Sequence, residues 1–216
     1  MRKMARLHLG LYVITLADAG RGIGHLDVAR AALAGGADAL QLRDKGMEGG
    51  DLFRLAVEMR EAVDAICANC LFLVNDRADV AVAARADGVH LGQEDLPAGA
   101  ARALVGAEMI LGISVGTVEE AVEAREAGAD YLGVGPVFPT PSKPDAGKPI
   151  GLEGLRGIRE AVDLPLVAIG GIDAERVEAV LEAGADGVAV ISAVAYARDM
   201  EATVRRLRRA VDSFRA

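Results

Sequence analysis

Gly36-Ala37-Asp38-Ala39-Leu40-Gln41-Leu42 closes a helical stretch and opens a strand. The same move returns as Gly128-Ala129-Asp130-Tyr131-Leu132-Gly133-Val134 and as Gly184-Ala185-Asp186-Gly187-Val188-Ala189-Val190, and Ala86-Asp87 repeats it without the glycine. The glycine suits a left-handed helix C-cap, and the apolar run after the aspartate suits a strand buried on both faces. Outward from these points, short β-branched runs alternate with stretches rich in Ala, Glu and Arg. Eight strands fall near 11–16, 38–43, 71–75, 87–91, 109–113, 130–134, 165–169 and 186–190, each followed by a helical pattern, the last over 199–214. Divided over eight units, 216 residues give about 27 per unit, a normal βα length. The aspartate openings belong to strands two, four, six and eight, the alternation of a closed barrel built from paired βα units. The fold is therefore read as α/β, a single (β/α)8 TIM barrel over residues 1–216. An open doubly wound sheet stands second, because no glycine-rich dinucleotide fingerprint follows the first strand.

Composition narrows the partners. The chain is 52% hydrophobic and 3% aromatic, with no tryptophan and a net charge of -8. Few rings and an acidic balance argue against nucleic acid, while a small anion in a locally basic pocket remains open. No apolar stretch reaches the ~20 residues of a membrane span. Arg2, Lys3 and Arg6 before an apolar run, with Ala17-Asp18-Ala19 after it, resemble a signal peptide. Leu11-Tyr12-Val13-Ile14-Thr15 is instead needed as the first strand, which places the protein in the cytoplasm. Cys67 and Cys70 form a C-x-x-C that closes a helix instead of opening one, so they are read as small buried hydrophobes and not a redox pair. No helical face is apolar enough to define an interface, so the sequence leaves the oligomeric state open, a homo-oligomer included.

In such barrels chemistry sits where strands end. Seven of the eight strand ends carry polar groups or glycines. Arg43, Lys45 and Lys143 bring positive charge to a mouth that also holds Asp76 and Asp95. Opposite charges in one cleft fit Mg2+ with a phosphate, and equally a structural ring of ion pairs. Gly170-Gly171 and Ile191-Ser192 end neighbouring strands seven and eight, the place where barrels bind phosphate through backbone N–H groups; glycines that only permit tight turns are the plainer reading. The long connection 138–151, with Pro136 just before it, holds five of the seven prolines and reads as a lid. No two histidines have metal-ligand spacing, and His90 reads as a hydrogen-bonded core residue. Thr117-Val118-Glu119-Glu120 is a capping box for the fifth helix.

Taken in order, Gln41-Leu42-Arg43-Asp44-Lys45, Val74-Asn75-Asp76, Gly92-Gln93-Glu94-Asp95, Gly112-Ile113-Ser114, Gly135-Pro136-Val137-Phe138-Pro139-Thr140 with Ser142-Lys143, Ile169-Gly170-Gly171-Ile172 and Val190-Ile191-Ser192-Ala193 resemble the thiamine phosphate synthase family. The resemblance runs from the first strand to the eighth. It implies a Mg-dependent transferase that joins 4-amino-2-methyl-5-hydroxymethylpyrimidine diphosphate to a thiazole phosphate and releases pyrophosphate. It implies that Gln41, Arg43, Lys45, Asn75, Ser114 and Lys143 contact the pyrimidine diphosphate, with Arg43, Lys45, Ser114 and Lys143 serving catalysis. Asp76 and Asp95 are implied to bind Mg2+, and Thr140, Ser142, Gly171, Ile191 and Ser192 to hold the thiazole phosphate. In the implied reaction the C–O bond to pyrophosphate breaks first, and the thiazole nitrogen captures the resulting pyrimidine methylene cation. Three positions depart from the family pattern: Gly116 stands where histidine is frequent, Ser142 where threonine is usual, and Asp44 where glutamate is common. The alternatives are a thiazole tautomerase on the same barrel and a noncatalytic phosphate-binding barrel. Neither needs the carboxylates or the pyrimidine-side basic groups.

Overall fold

The computed structural model describes residues 7–140 and 147–215. Eight parallel strands close into a barrel in sequence order, with the first paired to the eighth. They are β1 Leu11–Ile14, β2 Ala39–Leu42, β3 Leu71–Asn75, β4 Gly88–Leu91, β5 Ile110–Val115, β6 Tyr131–Val134, β7 Leu166–Ile169 and β8 Gly187–Val190. The helices are α1 His25–Gly35, α2 Gly49–Ile66, α3 Ala78–Ala83, α4 Ala98–Val105, α5 Val118–Glu126, α6 Gly151–Ala161, α7 Val177–Glu182, α8 Ser192–Ala195 and α9 Met200–Arg215. A (β/α)8 barrel is thus the fold. Each strand lies within two residues of its expected place at either end.

Two apolar cores account for the lack of alternation in the strand sequences. Leu11, Val13, Leu40, Leu42, Phe72 and Val74 face outward into the layer between sheet and helices. Their neighbours Tyr12, Ile14, Ala39, Leu71 and Leu73 fill the barrel interior with Ile110, Tyr131, Val167 and Ala189. Both faces of every strand are buried, so both read as apolar.

The repeated aspartates build the floor of the barrel. Oδ2 of Asp38, Asp87, Asp130 and Asp186 accepts the backbone N–H of Leu11, Phe72, Leu111 and Leu166 respectively, at 2.8, 2.8, 2.7 and 2.8 Å. Each aspartate N–H in turn donates to the carbonyl of that same residue on the preceding strand. Each carboxylate also receives an arginine from an outer helix: Arg208 on α9, Arg60 on α2, Arg102 on α4 and Arg159 on α6. Each of these N–H groups faces the next strand below that strand's first ladder carbonyl, and the aspartate side chain supplies the acceptor. Gly36, Gly128 and Gly184 cap the preceding helices at φ 89°, 90° and 102°, and in the unit without glycine Arg85 takes the left-handed conformation at φ 54°.

Cys67 ends α2 and Cys70 is buried beside β3, where burial pushes its thiol up to about 12, the opposite of a reactive thiolate. Thr117 caps α5 as expected, accepting from Glu120 N at 3.2 Å. The Glu120 carboxylate, however, takes the N–H of Gly116 and not that of Thr117. Among the described residues no helix is long and apolar enough to cross a membrane. Arg2, Lys3 and Arg6 lie outside the described residues, while Leu11-Tyr12-Val13-Ile14 is β1.

Candidate active site

The mouth is assembled from the C-terminal strand ends. After β2, Asp44 turns back on its own loop, and its Oδ1 accepts the N–H groups of Gly46 and Met47 at 2.9 and 3.0 Å. Its Oδ2 meets His25 Nε2 at 3.1 Å, and His25 Nδ1 meets Thr15 Oγ1 at 2.8 Å. Burial pushes the Asp44 carboxyl up, but the hydrogen bonds from His25, Gly46 and Met47 outweigh it and hold the group below its usual range. The clamp fixes the two residues beside it, Arg43 and Lys45. His25, the first residue of α1, is therefore part of the support of the site.

Asp76 follows β3 at φ 60°, a conformation that costs a non-glycine residue energy and is held here by its N–H bond to the His90 carbonyl at 2.9 Å. Asp95 comes from the loop after β4. Its Oδ2 accepts Gly92 N at 2.7 Å, and Gln93 Nε2 ties the same loop to the Ser114 carbonyl at 2.6 Å. Burial, and then the hydrogen-bond contact and charge of Asp95, push the Asp76 carboxyl up to about 6. Lys45 and Arg43 pull it partly back, with Lys45 Nζ 4.0 Å from Asp76 Oδ2. Two carboxylates forced together offer hard oxygen donors whose repulsion a divalent cation relieves, so the donor set fits Mg2+. Among the described residues no third His, Cys, Asp or Glu joins them. Mg2+ commonly takes one or two carboxylates and fills the rest of its shell with water and phosphate oxygens.

Two hollows adjoin at the mouth. The inner one is lined by Gln41, Arg43, Asn75 and Ser114, with Tyr12 and Tyr131 at its base. The outer one, about 530 Å³ and open to solvent, is lined by Thr140, Gly170, Gly171, Ile191 and Ser192, again with Ser114. Ser114, Gly133, Ile169, Ala189 and Ile191 belong to both, so the hollows share a wall. Ser114 lies within β5, one strand position deeper than its expected place after the strand end.

The outer hollow is shaped by backbone. Gly171 has φ 63°, and a Cβ there would sit 2.6 Å from the Pro139 carbonyl oxygen, so the loops after β6 and β7 can touch only through glycine. Gly170-Gly171 does not lead directly into a helix. A turn around Asp173 intervenes, with Asp173 Oδ1 accepting from Glu175 and Arg176, and α7 starts at Val177. Arg176 lies over the Phe138 ring at 4.8 Å and donates to the Gly171 carbonyl. The ends of the connection 138–151 are stapled: Phe138 N bonds Gly170 O at 3.1 Å, and Gly151 N bonds Val137 O at 3.0 Å. Ser142 and Lys143, expected on this connection, lie outside the described residues.

The structure therefore brings Gln41, Arg43, Asn75 and Ser114 to one hollow, Thr140, Gly171, Ile191 and Ser192 to the next, and Lys45, Asp76 and Asp95 to one rim. Sequence reasoning missed Tyr12, Tyr131, Thr15 and His25. Two of the chain's three tyrosines stand in strands of a ring-poor protein, and that was the available signal.

A model of the family described as thiamine monophosphate synthase matches residues 11–194. The thiamine-phosphate synthase of Moorella thermoacetica is 54% identical over 201 residues, 93% of this chain and 95% of the relative. That of Methanoculleus marisnigri is 56% identical over 198 residues, 92% and 93% of the two chains. The solved thiamine phosphate pyrophosphorylase of Pyrococcus furiosus superposes with a TM-score of 0.88 at 44% identity, covering 98% of this chain and all of that one.

Proposed function

The chain belongs to the thiamine monophosphate synthase family, and we propose that its two joined hollows carry the synthase reaction, uniting an aminopyrimidine diphosphate with a thiazole phosphate and releasing pyrophosphate. The observation that supports this most is the shared wall: a polar inner hollow and a backbone-lined outer one meet at Ser114, as a reaction between two bound molecules requires. Gln41 and Asn75 hold the pyrimidine ring, and Arg43 and Lys45 face the diphosphate. Thr140, Ser142, Gly171, Ile191 and Ser192 take the phosphate of the thiazole. Asp76 and Asp95 would hold Mg2+, which when bound would supply positive charge to the leaving pyrophosphate.

The residues' work is to bind, orient and exclude water. The Asp44–His25–Thr15 clamp presents Arg43 and Lys45 at fixed positions, so their charge meets the leaving group without rearrangement. Lys143, on the connection between β6 and α6, is assigned by the same reading to the diphosphate. Because its charge matters most as negative charge builds, Lys143→Ala is expected to lower kcat by about 10²-fold and not merely to raise KM. Steady-state kinetics of the purified variant decides this.

The test of the function is reconstitution. Thiamine phosphate and pyrophosphate are expected only when both substrates and Mg2+ are present. Metal-free isomerisation of the thiazole with no synthesis would replace this reading with a tautomerase.

A further inference from the structure

Five side chains from five strands are joined by hydrogen bonds in one line across the barrel interior. Gln41 Nε2 donates to Tyr12 Oη at 2.8 Å, and the Tyr12 and Tyr131 hydroxyls are 3.0 Å apart. Tyr131 Oη lies 2.8 Å from His90 Nδ1, and His90 Nε2 lies 2.9 Å from Ser114 Oγ. Gln41, Tyr12 and Tyr131 are almost wholly buried, and burial pushes both phenols well above their ordinary range, so they stay protonated. Glycines make the room. A Cβ on Gly112 would lie 2.2 Å from the Tyr131 ring, and one on Gly133 2.8 Å from the His90 imidazole.

A phenol has a single proton to give. If Tyr12 accepts from Gln41, its own proton goes to Tyr131. Tyr131 then gives its proton to His90 Nδ1, and neutral His90 carries its proton on Nε2 and donates it to Ser114. Ser114 is left with its own proton for the cleft, and Gln41 with Oε1 and its second N–H. Turning any one link turns them all: Gln41 would then point its carbonyl at Tyr12 and its amino group at the cleft, and Ser114 would offer only lone pairs.

We propose that this chain is a polarity lock for the pyrimidine substrate, making Tyr12, Tyr131 and His90 positioning residues that select a 4-aminopyrimidine over a 4-oxopyrimidine. The inference rests on reading the inner hollow as the pyrimidine site. A 4-aminopyrimidine edge carries a donor beside a ring-nitrogen acceptor, the complement of the Gln41 acceptor and donor, and an anionic group near Ser114 needs its O–H. One direction of the chain satisfies both ends of such a molecule. A 4-oxopyrimidine inverts the edge and matches only the reversed chain.

The experiment is equilibrium binding of the 4-amino and 4-oxo forms of 2-methyl-5-hydroxymethylpyrimidine diphosphate, without thiazole phosphate, to wild type, Tyr12→Phe and Tyr131→Phe. Wild type is expected to prefer the amino form by about tenfold or more. Tyr12→Phe frees Gln41 and shrinks the preference. Tyr131→Phe, farther from Gln41, has the larger effect, because Tyr12 loses its acceptor and turns its proton to the Gln41 carbonyl. Thiazole phosphate affinity stays within about twofold in both. In parallel, 15N spectra of His90 in the pyrimidine-bound wild type are expected to show Nε2 protonated. A wild-type preference retained in both variants, or His90 protonated on Nδ1 with the aminopyrimidine bound, overturns the lock alone. A wild type that binds neither pyrimidine overturns the reading of the hollow, and the lock with it.

Discussion

At the floor of the barrel Asp38, Asp87, Asp130 and Asp186 make the same three contacts four times, whereas at the mouth no two strand ends carry the same groups. Repetition at the floor follows from its task. Each pair of strands has the same unmet N–H, and one aspartate meets it while drawing an arginine from outside. The mouth must distinguish the parts of its ligands, so Gln41, Asn75, Asp76, Asp95 and Ser114 each occur once. Acidic groups at the floor are fully paired, and at the rim Asp76 and Asp95 are pressed together. One end uses charge to fasten strands, and the other holds charge in reserve for something bound.

If that contrast is right, removing a rim carboxylate costs activity and not stability. Asp95→Asn is expected to lower kcat/KM by about 10²–10³-fold and to shift the Mg2+ activation curve to higher concentration. Its metal-free melting temperature should not fall, since a repulsion is relieved. A lowered Tm with an unshifted activation curve would make Asp95 an ion-pair partner and erase the difference between the two ends.

The floor should show the reverse. Asp130→Ala leaves the Leu111 N–H without its acceptor and takes from Arg102 its carboxylate, the guanidinium keeping its bonds to the Gly106, Met109 and Gly128 carbonyls, and is expected to cost about 2 kcal/mol in urea unfolding with kcat unchanged. The four sites are also graded by exposure. The Asp130 side chain is 15% exposed and that of Asp186 52%, so Asp186→Ala is expected to cost only about 1 kcal/mol. Equal losses would show that the backbone bond, and not the arginine pair, carries the floor.

The smallest effect tests the repeat itself. Arg85 is exposed and holds φ 54° where the other three units have glycine. Arg85→Gly removes that strain but gives the unfolded chain more freedom, for a net gain of at most about 1 kcal/mol. A loss of stability would mean that the fourth unit is capped on some other principle.

Much of this was legible without coordinates because the signals are local. A glycine that must turn left-handed, an aspartate that must open a strand and a β-branched run after it are neighbours in the chain, so eight strands and their order could be read from residues a few positions apart. The loop motifs Asn75-Asp76 and Gly92-Gln93-Glu94-Asp95 were legible for the same reason, and they did arrive at one rim. Inward and outward faces were another matter. With both faces of each strand buried, Tyr12 and Val13 are equally acceptable as core, and nothing local says which one enters the barrel.

By itself the sequence determined the number of strands, their starting points, the family and the set of groups available at the mouth. Only the tertiary structure decided that Tyr12, Gln41, His90, Ser114 and Tyr131 meet in one line, since Tyr12 and Tyr131 are 119 positions apart and only closure of the barrel sets their hydroxyls side by side. The same holds for His25, whose neighbours in the chain give it no role until α1 packs and places its two ring nitrogens between Thr15 and Asp44. Hydrogen-bond direction is a property of the whole connected chain, each proton being committed by its neighbour, and so it cannot be read from any one residue in it.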